Sequence, residues 1–367
     1  MPNPFDISRS IRVAFALCAF ALTAAPTWCA AASDAAPAIG ANDPIQRAAL
    51  PSRLAQRSVL VAVAHAGARL VAVGERGHIL TSDDQARTWR QSAVPVSVTL
   101  TAVCFVDERV GWAVGHSGVI LQTTDAGSTW HKQLDGVLAN RLILDAAQVS
   151  GDAGRLEIAT RMNQEGPDKP FFDVHFSDAR HGLAVGAYGL AFATDDAGAH
   201  WRPVLDLVPD ADERHLYAIE ETAAGIFLAG EQGVFFRKLA HQSKYEVVAT
   251  AFRSSVFALL SAPDGALLAF GLGGEVHRST DQGLHWESST PDGKASITAG
   301  VVVAGEVVLA GEAGQLMVSK DSGRSFKVVA TDKPFPAAGL AATADGRLVI
   351  AGPLGVRAVA MPSLETN

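Results

Sequence analysis

Cysteine is nearly missing from this chain: 367 residues hold only Cys18, Cys29 and Cys104. Two of these fall in the first 32 residues, so a chain trimmed there has no partner for Cys104 and no internal disulfide. An excess of basic residues is missing too. The formal net charge is −8, which argues against nucleic acid or an anionic membrane surface as the main partner. Long apolar runs are also lacking. The run from Val13 to Ala25 falls short of the ~20 residues a membrane-spanning helix needs. What the chain does have is 48% apolar residues and 34 glycines, enough for a large packed core cut by many turns.

Residues 1–32 read as a secretory signal. Arg9 and Arg12 give the charged start, Val13 to Ala25 the apolar stretch, and Ala30-Ala31-Ala32 a cleavage site. Removing them takes Arg9, Arg12 and Asp6 from 30 basic and 38 acidic residues, leaving 28 against 37. Export without disulfides, in an alanine-rich chain, predicts a periplasmic protein. The rival reading is a retained signal anchor. Lipid attachment is disfavoured because Pro-Thr-Trp precedes Cys29.

Past the leader one pattern recurs seven times, an apolar run ending in Gly-x-x-Gly. The first glycines are Gly74, Gly115, Gly186, Gly230, Gly271, Gly311 and Gly352, separated by 41, 71, 44, 41, 40 and 41 residues. No lysine and no helical pattern follow, so this is no phosphate cradle. A period near 41 made of short strands predicts an all-β fold, a seven-bladed β-propeller of four-stranded blades. The glycines suit tight turns that need positive φ. Continuous runs such as SVLVAVA (58–64) and LTAVCFV (100–106) read as innermost strands.

A second signature, Ser/Thr-x-Asp-x-Gly-x-x-Trp, keeps phase with the first. Its copies centre on Asp125, Gly127 and Trp130, on Asp196, Gly198 and Trp201, on Asp281, Gly283 and Trp286, and on Asp321, Gly323 and Phe326. Asp84 heads a degenerate copy in which Ala86 replaces the glycine. Each carboxylate is placed to accept backbone N–H groups across its own turn, while the aromatic ring covers sheet. These copies resemble the Asp-box of bacterial neuraminidase repeats. The fourth blade has no box, so other contacts must hold its hairpin. The seventh has no fourth strand, so residues 33–57, a linker at first, are expected to supply a closing outer strand near 44–54.

The propeller then spans 58–362 with one insertion, 135–169. Leu138, Leu142, Ala146 and Val149 keep helical spacing, as do Leu156, Ala159 and Met162, and Asp152 is placed to cap the second helix. A helical hairpin is predicted. It shares one face with the glycine-pair turns and the blade-to-blade connections, opposite the Asp-boxes. Candidate partner-binding residues on that face are Glu75, Arg76, His116, Arg141, Asp173, Tyr188, Tyr217, Glu231 and Glu312. Counting back from each first glycine puts Asp173 and Tyr217 at the inner-strand mouths, beside Val61, Ala102, Ala258, Thr298 and Gly339.

Chemistry is sparse. No catalytic residue, metal site or cofactor is expected, and His175 and Cys104 read as core groups. The acidic loop of Asp206, Asp210, Asp212 and Glu213 lacks the glycine and terminal glutamate of a calcium loop. Sialidases share the Asp-box and use a tyrosine nucleophile with an acidic partner and three arginines. Tyr217, Asp173, Arg141, Arg214 and Arg253 therefore keep a glycosidase or carbohydrate-binding reading open as the alternative.

The whole unit, clearest in GWAVGHSGVILQTTDAGSTW (111–130) and GLAVGAYGLAFATDDAGAHW (182–201), resembles the photosystem II stability/assembly factor family of seven-bladed propellers. That resemblance implies an exported, non-enzymatic scaffold that binds a newly made membrane protein. The expected partner is an inner-membrane protein or complex, met by a monomeric propeller. Acidic charge and the helical hairpin set this chain apart from the photosynthetic members.

Overall fold

A computed structural model describes residues 40, 42–204, 214–329 and 333–361. The chain divides into units 1–35 and 36–367, and the described residues all belong to the second. The expected signal sequence and the acidic loop from Asp206 to Glu213 lie outside them.

Seven antiparallel sheets follow one another along the chain. Blade 1 holds β1 (Leu60–Ala66), β2 (Arg69–Gly74), β3 (Ile79–Ser82) and β4 (Arg90–Gln91). Blade 2 holds β5 (Leu100–Phe105), β6 (Gly111–Gly115), β7 (Ile120–Thr123) and β8 (His131–Leu134). Two helices, α1 (Gly136–Ser150) and α2 (Ala153–Glu165), then precede blade 3, with β9 (Phe171–Phe176), β10 (Gly182–Gly186), β11 (Ala191–Thr194) and β12 (Arg202–Pro203). Blade 4 runs β13 (Leu216–Thr222), β14 (Gly225–Gly230), β15 (Phe235–Leu239) and β16 (Glu246–Val247). Blade 5 runs β17 (Val256–Ser261), β18 (Leu267–Gly271), β19 (Val276–Ser279) and β20 (Glu287–Ser288). Blade 6 has β21 (Ile297–Val303), β22 (Glu306–Gly311), β23 (Leu316–Ser319) and β24 (Lys327–Val329), and blade 7 has β25 (Gly339–Ala342), β26 (Leu348–Gly352) and β27 (Gly355–Val359). Each innermost strand touches the next, and β25 touches β1, so the ring is closed.

The two glycines of each pair serve different physics. The second takes positive φ, as Gly77 does at 70° and Gly189 at 68°. The first does not. Gly74 is extended at φ −175°, and a Cβ there would lie 2.1 Å from the Val59 carbonyl oxygen. Close approach of the incoming connection, not left-handed backbone, excludes a side chain at the first site. The left-handed strain falls instead on the residue between them, which is Arg76, Ser117, Tyr188 or Gln232 in four blades.

The Asp-boxes form as expected. In blade 2, Thr123 Oγ1 donates to Asp125 Oδ1 at 2.8 Å, Gly127 N donates to Thr123 Oγ1 at 3.0 Å, and Thr129 N donates to Asp125 Oδ1 at 2.9 Å. Hydrogen bonds led by that from Thr88 Oγ1 hold Asp84 at about 2, and bonds led by that from His200 N do the same for Asp196. At Asp281 and Asp321 burial pushes upward, and hydrogen bonds outweigh it to the same value.

The boxes also clasp neighbouring blades, which the motif alone does not reveal. The carbonyl after each Asp-x accepts a side-chain donor from the preceding blade. Arg69 Nη1 reaches Ala126 O at 3.1 Å, Gln133 Nε2 reaches Ala197 O at 2.9 Å, Arg237 Nη1 reaches Gln282 O at 3.2 Å, and Arg278 Nε reaches Ser322 O at 3.0 Å. At the ring seam Arg347 Nη2, from blade 7, reaches Gln85 O of blade 1 at 2.8 Å, and Gln85 Oε1 accepts from Ala344 N at 2.8 Å.

That seam corrects the expected closing strand. Among the described residues nothing pairs with the outer edge of β27. Residues 44–50 lie instead along blades 1 and 2, where Ile45 is 1% exposed against Val94 and Val96. Ser97 N donates to Pro44 O at 2.8 Å and Ala49 N to Val94 O at 3.0 Å. The short turn Ala55–Arg57 comes beside β27, at Gly355.

Candidate protein-binding face

The glycine-pair turns and the connections between blades share one face. Glu75 N donates to Val59 O at 2.9 Å, and Gly77 N donates to Val98 O of the next connection at 2.7 Å. Three of the acidic tips named from sequence are braces. Glu75 Oε1 accepts from Val59 N, Glu231 Oε2 from His215 N and Glu312 Oε1 from Ser296 N, each at 3.1 Å. Arg76 and His116 stand exposed on blades 1 and 2, and Arg141 is exposed on α1.

The helical hairpin stands on this face. Asp135 caps α1 by accepting from Leu138 N at 3.2 Å, and Asp152 caps α2 by accepting from Gly154 N at 2.9 Å. The expected buried stripe of α1 is off by one position. Ala139 and Ala147 are buried, whereas Leu138 is 44% and Val149 90% exposed. In α2, Ala159 and Met162 are buried as the spacing predicts.

Counting back from glycine also misplaces the inner-strand mouths. Where β1 meets β2 the pairing skips Val61, and the equivalent skipped residues are Thr101, Phe172, Tyr217, Phe257 and Thr298. Tyr217 is therefore at a mouth, but Asp173 is not. It pairs with Val185, where other blades hold Ala62, Ala102, Ala218, Ala258 and Ala299. Its carboxylate is tied between blades 3 and 4, accepting from Val174 N and Ile219 N at 2.8 Å each. Burial pushes it up to about 6. His175 bridges the same blades, with Nε2 2.6 Å from Glu221 Oε2. The half-buried Cys104 thiol is pushed up to about 12, chiefly by desolvation.

Phe172, Tyr217 and Phe257 form an aromatic track across blades 3 to 5, with ring centroids 5.3 and 5.7 Å apart. Sequence reading missed Phe172, Phe257 and His215. Burial raises the Tyr217 phenol, and Glu231 adds to the shift. His215 lies 6.0 Å from Tyr217 and 4.8 Å from Tyr188, edge to face, and its Nδ1 accepts from Tyr188 N at 3.0 Å. The Lys169 ammonium, held by Glu165 and Asp168 at 2.8 and 2.5 Å, sits 5.5 Å from the Tyr188 ring centre.

Tyr188 is the hinge of this arrangement. Its φ is 55°, its ring is 46% exposed, and it walls two cavities together with Met162 and the 43%-exposed Ile158. One, of about 120 Å³, is mainly apolar and lies between the hairpin and blade 3. The other, of about 340 Å³, adds Arg161, Glu165, Asp168 and Lys169. An apolar side chain fits the first while polar groups meet the second. Among the described residues no group of three or more His, Cys, Asp or Glu is placed to hold a metal, and no helix is long and apolar enough to cross a membrane.

Comparison with known proteins places this arrangement. Residues 72–156 match the family model described as photosynthesis system II assembly factor YCF48. The photosystem II assembly lipoprotein Ycf48 of Synechococcus sp. (strain CC9902) is 28% identical over 136 residues. The chain is a seven-bladed propeller similar, over these stretches, to photosystem II assembly factors. The Synechococcus match covers 34% of this chain and 38% of the relative's length. A solved structure of YCF48 bound to D1 peptide superposes with TM-score 0.61 at 18% identity, covering 88% of this chain and 96% of that one. YCF48 from Cyanidioschyzon merolae gives 0.61 at 15% identity, covering 83% and 96%. The WD40 propeller domain of Doa1 gives 0.59 at 11% identity, covering 85% and 94%, so shape alone names no partner.

Proposed function

We infer that this propeller is a non-enzymatic factor that grips an extended segment of a membrane protein during assembly or stabilisation of an inner-membrane complex. The observation that carries the reading is Tyr188. A tyrosine in left-handed backbone costs about 1–2 kcal/mol, which glycine at the same turn position avoids in blade 5, where Gly273 stands. An exposed, strained aromatic beside an apolar cavity is the profile of a contact residue. The solved relative with a D1 peptide supports a peptide-like partner, although the photosynthetic client need not carry over. Export rests on the signal pattern of residues 1–32 and on a relative named a lipoprotein. Action as a monomer is part of the same proposal.

The glycosidase alternative loses its chemistry to the same geometry. Asp173 is committed to two backbone donors, and the shift at Tyr217 runs away from the phenolate a nucleophile needs. The test is affinity capture from envelopes with the tagged chain, its Tyr188→Gly variant and a deletion of 136–166. A membrane protein retained by the first and lost from both variants is the expected result. Equal capture by all three, or sialoside turnover abolished by Tyr217→Phe, would overturn it.

A further inference from the structure

The turn that carries Tyr188 is pinned through three successive N–H groups. Ala187 N donates to Pro170 O at 3.0 Å, Tyr188 N to His215 Nδ1 at 3.0 Å, and Gly189 N to Arg214 O at 2.8 Å. The outer two acceptors are main-chain carbonyls, which accept at any pH. The middle acceptor is a side chain that titrates. It serves the residue under strain, since Tyr188 is left-handed at φ 55°.

Blade 4 has the same device without the titration. Gln232, left-handed at φ 52°, donates its N–H to Ser255 Oγ at 3.2 Å. Ser255 stands immediately before β17, as His215 stands immediately before β13. A hydroxyl accepts whatever the pH, whereas an imidazole nitrogen accepts only while it carries no proton. Because Nδ1 accepts here, the proton of the neutral ring is on Nε2. A second proton would go to Nδ1, and two donors would then face each other across the 3.0 Å contact.

The imidazole also touches the aromatic track, with ring centroids 4.8 Å from Tyr188, 5.9 Å from Phe172 and 6.0 Å from Tyr217. Charged and titratable groups surround it from each side. Glu231, on the blade 4 turn, accepts from His215 N, Tyr217 comes from β13, and Arg214 precedes it in the connection. Lys169 lies across the Tyr188 ring with its partners Glu165 and Asp168.

We propose, resting on the partner-binding reading of Tyr188, that His215 is a positioning residue: neutral, it holds Tyr188 in its binding geometry, and acidification releases the partner.

Labelling the tyrosines of the full chain with a nitrogen isotope gives an amide spectrum of three signals, one per tyrosine. The Tyr188 signal should move between about pH 8 and about pH 5, the range in which imidazoles change charge. It should not move in His215→Ser, which copies the blade 4 acceptor, or in His215→Ala, which has none. Capture of a membrane protein from envelopes is then measured at both pH values. The wild type is expected to lose about three- to tenfold on acidification, and His215→Ala about as much at the higher pH. His215→Ser should retain more than His215→Ala and lose nothing on acidification. Both variants lack the same ring contacts, so the difference between them reports the hydrogen bond, and circular dichroism verifies that each is folded. A Tyr188 signal that moves in His215→Ser as in the wild type, or capture equally acid-sensitive in both, overturns the proposal. Capture by the wild type at neither pH overturns the partner-binding reading instead, and the Tyr188 signal alone then decides the role of His215.

Discussion

Replacing Arg347 by alanine isolates the closure of the ring. The guanidinium sends Nη2 to Gln85 O at 2.8 Å across the seam and also engages Asp345 at 3.0 Å within its own hairpin. The pair with Asp345 is solvated and contributes little. The bond to Gln85 carries the effect, because a buried-edge carbonyl loses a charged donor. A hydrogen bond to a charged group is worth about 1.5–3 kcal/mol, and the 29% exposure of Arg347 lowers that to about 1–2 kcal/mol. For a domain of this size the melting temperature should fall by about 1.5–3 °C. Arg109→Ala, which removes a 3.4 Å bond inside blade 2, should change it far less. Amide exchange read by mass spectrometry should rise first in β1 and β25, where the ring is joined. An unchanged melting temperature, with exchange in β1 and β25 no faster than in β9, would refute closure through this contact.

Four further outcomes follow from named contacts. Asp173, raised to about 6, stabilises the fold most below the ordinary carboxylate range, and that contribution is lost as pH rises through 6. Wild-type stability measured by urea should therefore fall relative to Asp173→Asn between about pH 4 and 6. The box carboxylates work in the opposite sense: Asp84, Asp196, Asp281 and Asp321, held at about 2, contribute above about pH 4 and lose their effect as pH falls towards 2. Melting curves across that range should show the loss, and a flat profile would contradict it. Gly186→Ala should cost about 3 kcal/mol, since its Cβ would sit 2.2 Å from Pro170 O; a cost under about 1 kcal/mol would deny the close approach. Tyr188→Gly should leave the melting temperature nearly unchanged, because relief of left-handed strain offsets the lost ring contacts.

Blade count, box chemistry and hairpin insertion were legible because they are written in local spacing. A positive-φ turn or an Asx contact needs only residues within a few positions of each other. What spacing cannot carry is register. Blades 1, 4 and 6 join their first two strands by two-residue turns, as between Ala66 and Arg69, whereas blade 2 uses three residues between Val106 and Val110. That single residue moves Asp173 from the mouth into the wall and puts Phe172 in its place. Inter-blade contacts were equally hidden, because the clasp donors sit at different strand positions: Arg69 and Arg347 stand at the start of the second strands of their blades, whereas Arg278 lies in the third strand, β19. The closing strand was argued from the need to cover an edge, yet Arg347 and the inner strands join the ring while the outer edge of β27 stays unpaired among the described residues.

Photo-crosslinking in intact envelopes, with a photoreactive residue at position 188 or at Arg324 in a box on the opposite face, tests the partner-binding reading most directly. A membrane-protein adduct from position 188 and none from position 324 is the predicted result. Adducts from 324 alone, or from neither position, would contradict it.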